Sequence, residues 1–154
     1  MRIPVLPLPS LRATSYGLCV LLALCGLFPA SAAASALDIE IQAARNAQGR
    51  VVCGLYDVPD AFRKAGRQIR EAESPISGGK AHCRFDNLPP GRYAVAAFHA
   101  EHGEREPSYG FLGKPRQGVA FTNDPSIAFG PPHFDEAAIE VGNTPLSIMI
   151  TLKY

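Results

Sequence analysis

The sequence predicts an all-β fold, an antiparallel β-sandwich of about seven strands. Short segments in which apolar and polar residues alternate recur along the chain, and a period of two is the pattern of a half-buried strand. Clusters of Gly, Pro and Asn separate these segments at short intervals, as turns between neighbouring strands require. Little of the chain shows helical periodicity, so a helix-rich architecture is disfavoured.

Residues 1–36 are predicted to be a signal peptide. Two arginines flank its start, and the apolar run Gly17–Phe28 has twelve residues, fewer than the ~20 that span a bilayer. Ala34-Ser35-Ala36 then fits the A-x-A cleavage pattern. A retained anchor or a lipoprotein attached at Cys25 is the alternative. The folded domain is expected at 37–154, in the periplasm or secreted from the cell.

Two strands and an insert are predicted in the first half of this domain. Leu37–Gln42 alternates strictly, and Arg50–Asp57 follows after a turn, so these segments are expected to form a hairpin. The stretch near 59–73 breaks the pattern and predicts one short helix or an irregular insert. Its basic side chains form either a binding patch or, as we favour, a solvated face; they are Arg63, Lys64, Arg67 and Arg70.

The segment Cys83–Ala100 organises the chain as two strands joined by a tight turn. Alternation in Lys80–Phe85 predicts the first strand, and Pro89-Pro90-Gly91 supplies the turn. The second strand, Arg92–Ala100, is apolar on both faces, as in a central strand. Tyr93 follows the turn, and its hydroxyl is expected to tie a loop to the body of the sandwich.

A long region rich in Gly and Pro, residues 101–135, is the predicted contact surface. It contains one short strand candidate, Gly118–Thr122. Loops of this length in a small domain are usually functional or irregular. Two further strands, Ala137–Val141 and Leu146–Tyr154, are expected to end the chain.

Two cysteines, Cys53 and Cys83, remain after the predicted cleavage, each on the apolar face of a strand. In an exported domain this pattern predicts one disulfide. It would close a loop of about 30 residues, worth roughly 3–4 kcal/mol. Two buried free thiols are the alternative. The absence of C-x-x-C gives no support to a thioredoxin-like role.

The charge balance restricts the partners. Without residues 1–36 the chain has 13 Lys and Arg against 14 Asp and Glu, a net charge of −1. This balance argues against nucleic acid or an anionic membrane as the partner, and no stable membrane insertion is expected once the signal peptide is cleaved. An envelope protein, a glycan or a small ligand is the expected partner. The sequence also lacks G-x-S-x-G and a phosphate-binding glycine loop, so no enzymatic activity is predicted.

One loop, 99–106, is rich in potential metal ligands. Together with a histidine from a second loop, the candidates are His99, Glu101, His102, Glu104 and His133. Imidazole with carboxylate suits a transition metal, and carboxylates alone suit calcium. Metal binding is therefore the alternative function. A His-x-x-His pair in an extended loop fixes no ligand geometry, so a hydrophilic loop without a cofactor is favoured.

The predicted domain resembles a family of exported bacterial proteins catalogued as domain of unknown function 2141. The resemblance is carried by FDNLPPGRYAV at 85–95 with His99, and by segments 113–123 and 130–137. It implies a transthyretin-like or carboxypeptidase-regulatory-like sandwich outside the cytoplasm, and it implies no activity. Relatives often carry an acidic stretch like a calcium loop after the histidine, but the Asp/Asn pattern is missing here. The sequence thus predicts a non-catalytic binding or interaction module of the cell envelope.

Overall fold

Two β-sheets packed face to face form the domain. The structure, a computed structural model, describes residues 35–111 and 114–154. Residues 1–34 of the predicted signal peptide lie outside this range. The described strands are β1 Ser35–Gln42, β2 Arg50–Tyr56, β3 Arg70–Pro75, β4 Ala81–Leu88, β5 Gly91–Ala100, β6 Val119–Phe121, β7 Ile139–Val141 and β8 Leu146–Thr151, and the described helix is α1 Phe134–Ala137.

The strands divide into a three-stranded and a five-stranded sheet. The smaller sheet has the order β4-β1-β8, and the larger has the order β3-β2-β5-β6 with β7 paired to the first residues of β5. The predicted all-β sandwich is therefore confirmed. One strand pair departs from the antiparallel expectation, because β1 and β8 run parallel.

The inner faces of the two sheets share one apolar core. Leu37, Ile39 and Ile41 of β1 face it from the smaller sheet and are at most 1% exposed. Because apolar and polar residues alternate along β1, the charged side chains of this strand lie on its other face, toward solvent. The predicted disulfide is confirmed within this core. It joins Cys53 of β2 to Cys83 of β4 across 6.5 Å between Cα atoms, so it links the two sheets covalently.

The outer face of the five-stranded sheet is apolar too. A second cluster of buried residues lies there, beneath the 57–69 insert and the segment that leads into α1. Phe62 of the insert packs edge-on against Tyr56, Phe121 and Phe134, with ring centroids 5.5–6.2 Å apart. Being covered on both sides, β2 and β5 are buried on both faces, which confirms β5 as a central strand.

Two sequence predictions need correction, and a third is confirmed in part. The hairpin of the first two strands is wrong, since β1 and β2 lie in different sheets. Near 59–73 the irregular insert, one of the two predicted alternatives, is confirmed through residue 69, whereas the residues from Arg70 onward belong to the edge strand β3. The strand expected to begin at Ala137 begins at Ile139, because Ala137 ends α1.

No helix within residues 35–111 and 114–154 has the length and apolar character needed to cross a membrane.

Candidate functional site

His99, the first predicted metal ligand, is fully buried and fully hydrogen-bonded. Its Nε2 lies 2.7 Å from the carbonyl oxygen of Gln48, and its Nδ1 lies 2.8 Å from the hydroxyl of Tyr154. The carbonyl can only accept, so Nε2 carries a proton and donates it. Both ring nitrogens are thus occupied by protein groups, and neither is available to a metal.

Tyr154 and Glu101 complete this network at the end of β5. The hydroxyl of Tyr154 accepts a hydrogen bond of 3.0 Å from the backbone N–H of Arg45. The Arg45 guanidinium binds Glu101 through Nε at 2.6 Å and through a second nitrogen. It also lies over the Tyr154 ring, 4.7 Å from the centroid. These contacts fix the β1–β2 turn and the chain end to β5, which is a structural role.

Arg45 also determines the ionisation of Glu101. Its hydrogen bond, followed by the one from Asn46, lowers the pKa of Glu101 from 4.5 to about 2, although burial works in the opposite direction. The carboxylate is therefore charged and fully engaged at neutral pH. Its side chain is only 7% exposed.

Of the other three predicted ligands, His102 and Glu104 contact each other, with 3.5 Å between the exposed His102 Nδ1 and a Glu104 carboxylate oxygen, and His133 lies apart from them at α1. Glu104 accepts hydrogen bonds from the backbone N–H of His102 at 2.8 Å and from Gln117 at 3.2 Å. His133 is exposed at the start of α1, where its own N–H donates to Glu136. Among the described residues, no three His, Cys, Asp or Glu side chains are placed to hold a metal ion. The structure does not bring the predicted set together and gives metal binding no support.

A cleft lies instead on the outer face of the five-stranded sheet. Its floor is made by β2, β5 and β6, and its two walls are the 63–68 part of the insert and the loop 105–109. It has a volume of about 120 Å³. This second wall belongs to the 101–135 region that the sequence predicts as a contact surface.

Small residues at the centre of the sheet create the hollow. Gly54 of β2 pairs with Ala96 of β5, and Ala96 pairs in turn with Phe121 of β6. Successive side chains of a strand point to opposite faces of the sheet. The Gly54–Ala96 pair therefore lies on the same outer face as the Val52–Phe98 pair, two residues away along the strands. Ala96 is partly exposed although β5 is a central strand. Solvent therefore reaches the middle of an otherwise covered apolar surface.

Tyr56 places a polar group without a protein partner in this cleft. The residue is 6% exposed and lines the hollow, and its hydroxyl makes no hydrogen bond to any residue within 35–111 or 114–154. The absence of a side chain at Gly54 makes room for the ring, because a Cβ there would lie 3.1 Å from the Tyr56 hydroxyl. The oxygen opens to the cleft and is not sealed in the core, so water or a ligand in the cleft can complete its hydrogen bonding.

Charged side chains surround the apolar floor. Glu71 of β3 lies directly across from Gly54, and its carboxylate accepts a hydrogen bond of 2.7 Å from Gln68. Arg63 contributes from the insert, and Arg105 and Glu106 contribute from the opposite wall. Burial, followed by the charge of Glu71, raises the pKa of Tyr56, so its hydroxyl stays protonated at neutral pH.

Sequence reasoning missed this cleft, although one signal for it was present. Gly54 and Ala96 are small residues inside apolar strands, and a glycine within a strand often marks a close approach to the sheet. Their combination becomes visible only through the register of β2 with β5 and through the insert that leaves them uncovered.

Comparison with known proteins gives a family. No curated protein and no solved structure matched the sequence. Residues 39–149 match the family model described as "Uncharacterized protein conserved in bacteria (DUF2141)". The matched range covers both sheets, from β1 to β8, and includes every residue named above as lining the cleft. The chain therefore belongs to the DUF2141 family.

Proposed function

We propose that this protein is an exported, non-catalytic binding module that holds a small ligand in the cleft on its five-stranded sheet. The observation that carries this proposal is the hollow over the Gly54–Ala96 pair, next to the unpartnered hydroxyl of Tyr56. An apolar concavity with a few polar groups at its margin is the usual form of a small-molecule site.

The disulfide supports a location outside the cytoplasm. A buried disulfide fits a compartment outside the reducing cytoplasm. The signal-like segment at 1–36 supports the periplasm or the extracellular space as that compartment. A cleft open to solvent on an exported domain suits the capture of an envelope component or a small ligand.

A non-catalytic role agrees with the chemistry of the most reactive side chains. Cys53 and Cys83 are bonded to each other, so neither supplies a thiolate. His99 is buried with both ring nitrogens engaged, so it is not placed to act as a base on a bound molecule.

Ring-sized probe binding tests the cleft. We expect 2-phenylethanol, a neutral ring-sized probe, to shift the backbone amide resonances of Gly54, Ala96 and Phe121 in the ¹⁵N-labelled protein. Ala96→Leu fills the hollow and should abolish these shifts, because the leucine occupies the space of the ring. A well-dispersed spectrum of the variant shows that it is folded.

Ala47→Leu is the matched control. It adds the same side chain at an exposed turn position away from the cleft, and binding should be unchanged. The cleft is not a ligand site if millimolar 2-phenylethanol leaves the wild-type amide resonances unshifted, or if Ala96→Leu binds the probe as well as the wild type does.

A further inference from the structure

We propose that the ligand of this cleft is an organic amine that carries one ring-sized apolar group. This inference rests on the proposed function and adds the chemical class of the ligand. Three features of the described residues support it: the size of the hollow, the acidic groove that adjoins it, and the hydroxyl of Tyr56 in the hollow, near the Gly54 backbone that pairs with Glu71.

The size of the hollow limits its apolar occupant. Its volume is about 120 Å³, slightly less than the apolar cavity of about 150 Å³ that holds benzene, but the hollow is open on the side of the adjoining groove. The floor is lined by Val52, Phe98 and Phe121, which offer apolar and aromatic contact. A single ring, or an aliphatic group of similar size, therefore fits the hollow, while a larger ligand must extend beyond it.

The space into which a ligand extends is an acidic groove. It adjoins the hollow and shares Val52, Glu71 and Arg105 with it, and it has a volume of about 490 Å³. Its charged lining residues are Arg50, Glu71, Glu73, Glu104, Arg105 and Glu106. Four carboxylates thus face two guanidinium groups.

The negative charge of this groove is not cancelled internally. Arg50 is paired with Glu73 at 2.8 Å, which leaves Arg105 against three carboxylates. Glu104 stays ionised at neutral pH, because hydrogen bonds from the backbone N–H of His102 and from its own N–H lower its pKa to about 2. Complementary charge favours a cationic group on the ligand at this end.

Tyr56 offers an acceptor to that cation on the side of the hollow next to Glu71. The residue is 6% exposed, and its hydroxyl opens to the cleft and has no protein partner among the described residues, so its oxygen can accept a hydrogen bond from an ammonium group. The aromatic rings of Tyr56 and Tyr109, which both line the hollow, also attract a cation near their faces. Arg63 lies on the same wall and opposes this attraction, so the expected preference for an amine is modest.

Three probes of similar size separate charge from shape. They are 2-phenylethylamine, 2-phenylethanol and 3-phenylpropionate, which carry a positive, a neutral and a negative end. We expect the amine to bind about fivefold more tightly than the alcohol, because an exposed ion pair contributes up to ~1 kcal/mol. The carboxylate should bind more weakly than both. The measurement is titration of the amide resonances of Gly54 and Ala96.

Two variants assign the preference to named groups. Glu71→Gln removes the carboxylate beside the hollow and should reduce the amine-to-alcohol ratio by about threefold, with binding of the alcohol unchanged. Tyr56→Phe keeps the ring and should also reduce this ratio. Glu140→Gln on β7, where the side chain is 80% exposed and outside the cleft, is the control and should leave the ratio as it is.

The outcomes distinguish this inference from the proposed function. Equal binding of amine and alcohol, or tighter binding of the carboxylate, would overturn the amine while the cleft remains a ligand site. A preference that survives Glu71→Gln and Tyr56→Phe unchanged would also overturn it. If none of the three probes shifts the amide resonances of the cleft, the cleft is not a ligand site, and both the proposed function and this inference are wrong.

Discussion

Two buried tyrosines in this domain differ in one hydrogen bond. Tyr93 is 7% exposed, and its hydroxyl donates a bond of 2.9 Å to the carbonyl oxygen of Pro89, across the turn that joins the two sheets. This confirms the predicted role of Tyr93. Tyr56 is 6% exposed, but its hydroxyl lies in the cleft without a partner in the described part of the chain. Replacement of tyrosine by phenylalanine should therefore change the free energy of unfolding differently at the two positions.

We expect Tyr93→Phe to lower the free energy of unfolding by about 1 kcal/mol, the net contribution of one hydrogen bond. Tyr56→Phe should leave it unchanged or raise it slightly, since no protein hydrogen bond is lost. Urea denaturation of both variants and the wild type measures the difference. Equal losses in both variants would contradict the distinct roles assigned here.

Sequence reasoning succeeded at residues whose partners are fixed by strand patterns, and it failed where distant segments meet. Cys53 and Cys83 lie on the inner apolar faces of their strands, so their pairing followed from alternation. The sequence offers His99 as a candidate metal ligand, because the partners that occupy its ring, Gln48 and Tyr154, are 51 and 55 residues away. No local pattern reports such a contact.

At the level of elements, alternation gives the faces of a strand but not the sheet to which it belongs. The adjacency of β1 and β2 in sequence suggested a hairpin, whereas the chain crosses between the sheets at that turn. The edge strand β3 was missed because its inward residues, Ala72 and Ser74, are too small to give an apolar signal. Only its pairing with β2 identifies it as a strand.

The β1–β2 turn is held to the end of β5 by a charged contact that depends on pH. In the folded chain the pKa of Glu101 is about 2, against an ordinary 4.5, chiefly because Arg45 donates to it. A carboxyl whose pKa is lowered by folding stabilises the folded state above its unfolded pKa. This contribution is fully present above about pH 5 and is lost as the pH falls towards 2.

Glu101→Gln should therefore reduce the loss of stability between pH 5 and pH 2 relative to the wild type. It should also lower stability at neutral pH, because the ion pair with Arg45 is removed. Urea denaturation across this pH range measures both effects. Asp60→Asn, at an exposed position of the insert, should keep the wild-type slope. If the free energy of unfolding of Glu101→Gln changes with pH as steeply as that of the wild type, the Arg45–Glu101 contact does not respond to pH.

In the molecule as a whole, the disulfide-linked core and the candidate site lie on opposite faces of the five-stranded sheet. Its inner face packs against the smaller sheet and carries the disulfide. Its outer face carries the second apolar cluster and the cleft. Gly54 and Cys53 are adjacent in β2, yet they face opposite sides, because side chains alternate along a strand. A change at the disulfide should thus affect the unfolding equilibrium without altering the cleft.

Removal of the disulfide tests this separation. Reduction of Cys53–Cys83 frees a loop whose ends are 30 residues apart, and the chain-entropy model gives a loss of roughly 3–4 kcal/mol. Urea denaturation with and without a reductant should show this loss in the wild type and no effect of the reductant in a Cys53→Ser, Cys83→Ser double variant. While folded, the reduced protein should still bind 2-phenylethanol with unchanged affinity. Weaker binding of 2-phenylethanol by the reduced, folded protein would mean that the two faces of the sheet are coupled through β2 and its partner β5, which contribute to both.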